Sequence, residues 1–421
     1  MFVVIILMRI IPRRIETSKV RRSFPWVMIY GRRKTGKTFL VENFLDYDNF
    51  YFVNRDGSVL DRRSGEVYTY SEFMKVFREI LGERRVVIDE FHRLPERFLD
   101  YLHASGIKGN LILITSTLWL SRMMLEEKQP LLGMVRPVEI GLVDEREILL
   151  ELSREFGGKD LIENSVYLRE VMLLPFFRGG VRNFISDFLS NGFVIKGLVG
   201  EIFSEEEKEL TNIYEGVMKC VADGKNTSTQ ISDLLFSKGL ISKNNPGVLQ
   251  KYLSTLTEIG ILERLEVFRR KKFRYFHRSP LIDLFFFLES KYSYTEIETP
   301  RKFIRKVVDE KVPYHVEQFL RNLFSKLYGM QHRIIEEKDC QIDVALFRFK
   351  KLKMVAEVKW KNSVSRKEVR MVEKNLNRFR NVRKVLIVPE AGVLEKEPEG
   401  VEVLDAEGVL QEARERFVDK E

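Results

Sequence analysis

A G-x-x-x-x-G-K-T string, Gly31-Arg32-Arg33-Lys34-Thr35-Gly36-Lys37-Thr38, directly follows the apolar run Val27-Met28-Ile29-Tyr30. Its position constrains the fold more than its letters do. A loop that cradles phosphate must leave a buried strand and open a helix, so that backbone N–H groups and the helix N-terminus converge on the anion. Phe39-Leu40-Val41-Glu42-Asn43-Phe44-Leu45 supplies the helix. Gly31, Lys34, Thr35, Gly36, Lys37 and Thr38 are therefore the expected contacts of a nucleoside triphosphate, with Lys37 on the β- and γ-phosphates and the Thr38 hydroxyl on Mg²⁺. A second motif strengthens the first. Arg84-Arg85-Val86-Val87-Ile88-Asp89-Glu90 is an apolar strand that ends in two carboxylates. Asp89 would hold the Mg²⁺ through water, and Glu90 would polarise the attacking water. A third strand, Leu111-Ile112-Leu113-Ile114, ends at Thr115-Ser116. Placed between the two motif strands, Ser116 would sense the γ-phosphate; a plain strand-end turn is the alternative. Arg136 reads either as a finger for a neighbouring subunit's phosphate or as a solvated surface arginine.

The chain has 421 residues, enough for two or three domains. Short apolar runs alternate with amphipathic stretches up to about residue 143, the rhythm of a parallel sheet with crossover helices. Residues 144–200 read as a helical lid, broken at Pro175 and Gly179-Gly180. Residues 201–295 carry helical patterns and then a short hairpin. Residues 296–421 begin with a long helix from Tyr314 and return to α/β, with strands near 341–349, 354–360 and 384–388. The expected class is α/β throughout. Two cysteines far apart, Cys220 and Cys340, exclude a disulfide framework and a Cys-based zinc site, and point to a reducing compartment, the cytoplasm. The run Met1-Phe2-Val3-Val4-Ile5-Ile6-Leu7-Met8 is too short to span a bilayer, so no membrane partner is expected. It reads as a buried strand or a wrongly assigned start.

Two stretches of the second half carry charge with a purpose. Residues 231–239 and 245–260 read as two amphipathic helices. Ile261-Leu262-Glu263-Arg264 and Arg269-Arg270-Lys271-Lys272-Phe273-Arg274-Tyr275 follow as a basic β-wing. Helix, helix and wing make a winged helix, which either contacts DNA or serves only for packing. Phe285-Phe286-Phe287 belong to a core. Further on, Gln341-Ile342-Asp343-Val344-Ala345 places Asp343 on a strand, and Val355-Ala356-Glu357-Val358-Lys359-Trp360 places Glu357 and Lys359 on one face of the next. Glu317 joins from the preceding helix. Converging carboxylates repel unless a cation lies between them, so Glu317, Asp343 and Glu357 read as a metal site. A lysine beside it would position water and stabilise a pentavalent phosphate. From Lys350 to Lys384 there are thirteen Lys and Arg against three Glu, while the whole chain carries a net +9. Such a segment suits a phosphate backbone; for residues 366–380 taken alone, a solvated helix face reads as well.

The pattern Tyr30-Gly31-Arg32-Arg33, Gly36-Lys37-Thr38, Ile88-Asp89-Glu90-Phe91 and Gly179-Gly180 resembles the archaeal ATPases at the AAA+/STAND border. Likewise, Asp343 with Glu357-x-Lys359 resembles the PD-(D/E)xK nuclease core. The resemblance implies ATP as nucleotide, a helical lid, a winged helix and a C-terminal nuclease-like domain with restriction-endonuclease-like architecture. Three positions depart from it. The family's helix and arginine–glutamate pair before the first strand find no counterpart in residues 1–22. Gly179-Gly180-Val181-Arg182 stands where the family has Gly-Gly-x-Pro. Met134 stands where an arginine follows the glycine matching Gly133. The expectation is an ATP-binding and hydrolysing protein that acts on DNA, with Mg²⁺ at the first site and Mg²⁺ or Mn²⁺ at the second. The alternative is a STAND-like nucleotide switch that binds DNA or a protein without cutting. The number of subunits is left open.

Overall fold

The computed structural model describes residues 9–118, 131–190, 193–206, 208–337 and 340–417. The apolar run at 1–8 therefore lies outside the described residues. The chain forms two compact units. The first comprises Met1–Val143, Glu170–Met172 and Gly200–Glu209; the second comprises Asp144–Arg169, Leu173–Val199 and Leu210–Glu421.

The first unit is built on seven strands: β1 (Trp26–Tyr30), β2 (Asn49–Val53), β3 (Val59–Asp61), β4 (Val67–Tyr68), β5 (Arg85–Asp89), β6 (Asn110–Thr115) and β7 (Arg136–Glu139). Their order is β4-β3-β2-β5-β6-β1-β7, and β2, β5, β6, β1 and β7 run parallel. The helices are α1 (Arg14–Arg22), α2 (Lys37–Phe44), α3 (Tyr70–Ile80) and α4 (Arg97–Ser105). Side chains alternate across a strand, so each strand feeds both faces of the sheet. Val27, Ile29, Val87, Ile112 and Ile114 pack with Val20 of α1 and Leu40 and Val41 of α2. Trp26, Met28, Val86, Ile88, Leu111 and Leu113 pack with Phe73 and Phe77 of α3 and Phe98 of α4. Helices on both faces explain why the central strands read as unbroken apolar runs. β6 lies between β5 and β1, so Ser116 emerges between the two motif strands. Before β1, α1 and its flanking Arg13 supply what residues 1–22 were expected to lack. Arg13 lies 3.3 Å from Glu16, both buried, and donates to the carbonyls of Thr35 and Gly141.

The second unit begins with α5 (Glu145–Leu152), α6 (Gly158–Leu168) and α7 (Val181–Leu189). Helix α8 (Phe193–Glu205) follows, its last residues counted with the first unit. Arg182, where the resemblance led us to expect a proline, forks onto Glu163 of α6 at 2.6 and 2.7 Å and reaches Asp309 at 2.9 Å. Next come α9 (Asn212–Ala222), α10 (Ser228–Ser237), α11 (Gln250–Glu258), the antiparallel hairpin β8 (Leu262–Glu266) with β9 (Phe273–His277), and α12 (Pro280–Tyr292), which buries Phe285, Phe286 and Phe287.

Helix α13 runs from Arg301 to Tyr328, starting well before the Tyr314 expected from the sequence. Pro313 lies inside it. An interior proline costs about 3 kcal/mol, but Val307, Val308, Val312, Val316, Phe319 and Leu320 bury on either side and carry the helix through. At its middle sits a buried polar knot. Asp283 of α12 accepts from Lys311 Nζ at 2.6 Å and His315 Nε2 at 2.9 Å, and His315 Nδ1 lies 2.9 Å from the Tyr167 hydroxyl. Lys311 also donates to the Ala222 carbonyl.

The last part of the unit holds short strands β10 (Gln331–His332), β11 (Ile335–Glu337) and β12 (Cys340–Ile342), then β13 (Val344–Arg348), β14 (Lys351–Val358), β15 (Arg383–Ile387) and β16 (Glu402–Leu404). The larger sheet has the order β10-β13-β14-β15-β16, antiparallel from β10 to β14 and parallel from β14 to β16. Helix α14 (Arg366–Leu376) opens with a capping box, Ser365 and Glu368 each satisfying the other's backbone N–H, and buries Val369, Val372 and Leu376. Its Arg366, Lys367, Arg370 and Lys374 are exposed. Helix α15 (Ala406–Arg416) closes the described chain. Trp360 Nε1 donates to Glu163 at 3.0 Å, which ties this sheet to α6. Among the described residues, no helix is long and apolar enough to cross a membrane.

Candidate functional site

The loop between β1 and α2 is shaped by three left-handed residues, Lys34 (φ 63°), Gly36 (φ 85°) and Gly31 (φ 151°). Lys37 is buried and donates to the carbonyls of Gly31 at 2.8 Å and Arg32 at 3.0 Å. The Thr35 hydroxyl donates to the Arg32 carbonyl at 2.9 Å, and Arg32 forks onto Glu170 at 2.6 Å. Thr38 Oγ1 donates to Asp89 Oδ2 at 2.7 Å, and Asp89 Oδ1 accepts from the Glu90 amide. The two motifs therefore meet at this contact. Two hard oxygen donors in contact suit Mg²⁺, and Thr38 and Asp89 are the residues that would hold it.

Burial shifts the charges around Lys37 toward their neutral forms. Burial lowers the Lys37 pKa to about 8, against the opposing pull of Glu90 and Asp89. Burial also lifts Asp89 to about 6. A triphosphate favours the ammonium form of Lys37. Nucleotide binding is thus expected to weaken as pH rises past about 8 and to take up protons there. Calorimetric titration at pH 7 and 9, in buffers of different ionisation enthalpy, reads both effects. Equal affinity with no proton uptake would remove Lys37 from contact with phosphate.

Glu90 follows β5 in a left-handed conformation, φ 57°, which turns its side chain toward the end of β6. There the Ser116 hydroxyl lies 2.9 Å from Glu90 Oε2 and 2.8 Å from Glu205 Oε2. One hydroxyl hydrogen serves one carboxylate at a time, so Glu205 competes with Glu90 for Ser116. His92 lies 3.5 Å from Glu90 and 3.6 Å from Glu205, and Arg93 lies 3.8 Å and 3.5 Å from the same two. Arg33 reaches Glu205 at 3.1 Å. The hydrogen bond from His92 contributes most to holding the Glu205 carboxyl down at about 2. Glu90, His92 and Glu205 bring ligand atoms within 4.8 Å of one another, but Arg33 and Arg93 already supply positive charge there. Glu205, His92, Arg93 and Arg13 are site neighbours that the motifs did not reveal. Glu205 sits in the run Ser204-Glu205-Glu206, with nothing in its spacing to link it to Glu90. Arg136 is exposed on β7 and donates to the Arg22 carbonyl at 3.1 Å.

The C-terminal carboxylates are placed differently from expectation. Asp343 lies at the bend between β12 and β13 rather than on a strand, because the chain changes partner there, from β11 to β14. Its Oδ2 accepts from the Val358 amide at 2.8 Å. Glu357 is buried on β14, and Lys359 follows just past the strand end, its amide donating to Ile387. Lys359 Nζ pairs with Glu357 Oε2 at 3.0 Å, while Glu357 Oε1 is buried without a partner. Burial raises the pKa of Glu317, Asp343 and Glu357, and mutual repulsion raises Glu317 and Glu357 further. An unpartnered buried carboxylate oxygen within an all-oxygen donor set fits a hard divalent cation. Asp343 and Glu357 would hold it, with Glu317 alongside.

Residues 23–149 match the family described as AAA domain, AAA_14. The uncharacterized protein MJECL04 of Methanocaldococcus jannaschii is 24% identical over 337 residues, covering 72% of each chain. Among solved structures, the Walker-type ATPase PABY2304 of Pyrococcus abyssi matches at TM-score 0.44 and 16% identity, over 66% of this chain and 96% of its own. The Aeropyrum pernix ORC2 protein in its ADPNP-ADP complexes matches at TM-score 0.35 and 13% identity, over 71% of this chain and 91% of its own.

Proposed function

We propose that the chain is an ATP-hydrolysing protein that acts on DNA, with a winged helix in residues 201–295 and a metal-dependent, nuclease-like domain from residue 296 onward. The observation that carries the first part is the contact of Thr38 with Asp89 beside a buried Lys37. In this reading Lys37 exchanges its two carbonyl partners for β- and γ-phosphate oxygens. Glu90 takes a proton from water as that water attacks the γ-phosphorus. The bond to the β-bridging oxygen breaks, and Lys37 offsets the charge left on ADP. Mg²⁺ supplies further charge neutralisation at the phosphates. Ser116 positions Glu90, and Glu205 draws Ser116 away when the site rests.

At the second site, support comes from the orphaned Glu357 oxygen and the Glu357–Lys359 pair. Lys359 would orient the attacking water and counter charge building on the phosphodiester, while Asp343 is held in place by the Val358 amide. A bound Mg²⁺ or Mn²⁺ supplies a polarised water there. The exposed cations of α14 and of the β8–β9 hairpin would take the DNA backbone. One observation favours the switch alternative, in which DNA is held and not cut: Lys359 is already engaged by Glu357, and burial favours protonated carboxyls around it.

Cleavage of single-stranded, duplex and branched DNA decides between the two. Wild type and Asp343→Ala are compared with Mg²⁺ or Mn²⁺, with and without ATP. The expected result is metal-dependent cutting that falls about 100-fold or more in the variant, as loss of a group acting on developing charge commonly costs. Bound but uncut DNA in every condition would replace this reading with the nucleotide switch.

A further inference from the structure

The tip of the β13–β14 hairpin carries a combination that folding alone disfavours. Phe349 is 86% exposed and left-handed, φ 55°. A two-residue hairpin loop with positive φ favours Asn, Asp or Gly, and a bulky aromatic there is strained. The strand pair just below it faces Arg348 against Lys351. Like charges directly opposite across a ladder destabilise the hairpin. Lys350 and Lys353 add to the same exposed end. Among the described residues, none of these four cations has a carboxylate within ion-pair distance. A second basic loop, residues 267–272, packs on β13 through the Phe268 and Phe347 rings, 4.6 Å apart, and Val267 bridges to Ile334 between β10 and β11. Arg269, Arg270 and Lys271 of that loop are exposed.

The like charge eases if a polyanion occupies the tip, and the exposed ring is covered if that polyanion carries an open π-face. Duplex DNA offers the anion but keeps its bases stacked inside. A single strand offers both phosphates and unstacked bases, and aromatic side chains among cations are the way such strands are bound without sequence preference. We propose that Phe349 is a base-stacking platform for single-stranded nucleic acid, with Arg348, Lys350, Lys351 and Lys353 holding the adjacent phosphates. The inference rests on the reading that the chain acts on nucleic acid. It goes further in naming the strand form and the hairpin that takes it.

The test is fluorescence anisotropy of the full chain with a labelled oligo-dT, an oligo-rU of the same length and a duplex. Phe349→Ala is expected to weaken single-strand binding about tenfold, as for loss of one stacked base, and to leave duplex binding within about twofold. Phe349→Trp should restore binding, with emission quenched when oligo-dT is added. Lys351→Glu should weaken all three ligands and flatten their salt dependence. Thermal unfolding of each variant separates lost contact from lost fold. Unchanged oligo-dT binding by Phe349→Ala, with wild type binding well, overturns the platform alone. Equal loss on duplex and single strand also overturns it. A wild type that binds none of the three ligands overturns the nucleic-acid reading as a whole.

Discussion

Lys37→Ala is expected to reduce ATP affinity about 100-fold, the upper range for a hydrogen-bonded charged group. The side chain is buried against the Gly31 and Arg32 carbonyls, so its ammonium is aimed into the loop before any phosphate arrives. The lost methylenes contribute little to the core, because α2, which Lys37 opens, packs through Leu40 and Val41. The variant should therefore fold normally, and titration of a fluorescent ATP analogue by the purified protein reads the loss directly. Unchanged affinity with an intact thermal transition would refute the phosphate-loop assignment itself. Loss of affinity together with loss of the fold would instead show Lys37 acting through its carbonyl contacts.

The second large effect is expected at the buried polar knot between α12 and α13. Asp283→Ala leaves Lys311 buried with an aromatic surround and one carbonyl partner in place of its carboxylate. Breaking a buried pair from one side costs about 3–5 kcal/mol. The loss should appear in the unfolding of the second unit, read by urea denaturation. Replacing both partners, Asp283→Leu with Lys311→Met, is expected to recover most of the loss, because no uncompensated charge remains. A single-variant cost under about 1 kcal/mol would mean that water or a rearranged His315 satisfies Lys311. His277 faces the same carboxylate at 4.0 Å, with burial lowering its pKa to about 4. The knot is thus held by one anion among one lysine and two imidazoles, which is why removing that anion outweighs removing any one of its partners.

The sequence spells out those parts of the protein that depend on local order. The phosphate loop, the β5 carboxylates and the strand ending at Ser116 are each a short apolar run with a polar end, and the parallel sheet follows from such runs. The β8–β9 hairpin and the capped α14 are equally local. Three features escape for physical reasons. Pro313 reads as a helix boundary, yet burial on both sides of it outweighs the missing hydrogen bond. Asp343 reads as a strand residue, yet the switch from one strand partner to another bends the chain there, and partner choice is a long-range property. Glu205 and Arg13 reach the nucleotide site from 115 residues after Glu90 and from 18 residues before Gly31, through packing that no spacing rule encodes. Met134 and Arg182 differ in plain view from the pattern that the sequence resembles. What Arg182 does instead, clamping Glu163, appears only when α6 and α7 are seen side by side.

Gly31 stands apart from the other loop residues in what constrains it. A β-carbon at this position would lie 2.1 Å from the Ile140 carbonyl oxygen, and the Ile140 amide is itself bonded to Tyr30 at 2.7 Å. The first glycine of the motif is thus dictated by the backbone just after β7 as much as by any ligand. A descendant of this protein that had abandoned nucleotides altogether would still be held to glycine there, while Lys37 and Thr38 would be free to drift. In tracing relatives, then, the glycine marks inherited architecture, and only the lysine and threonine bear witness to retained chemistry.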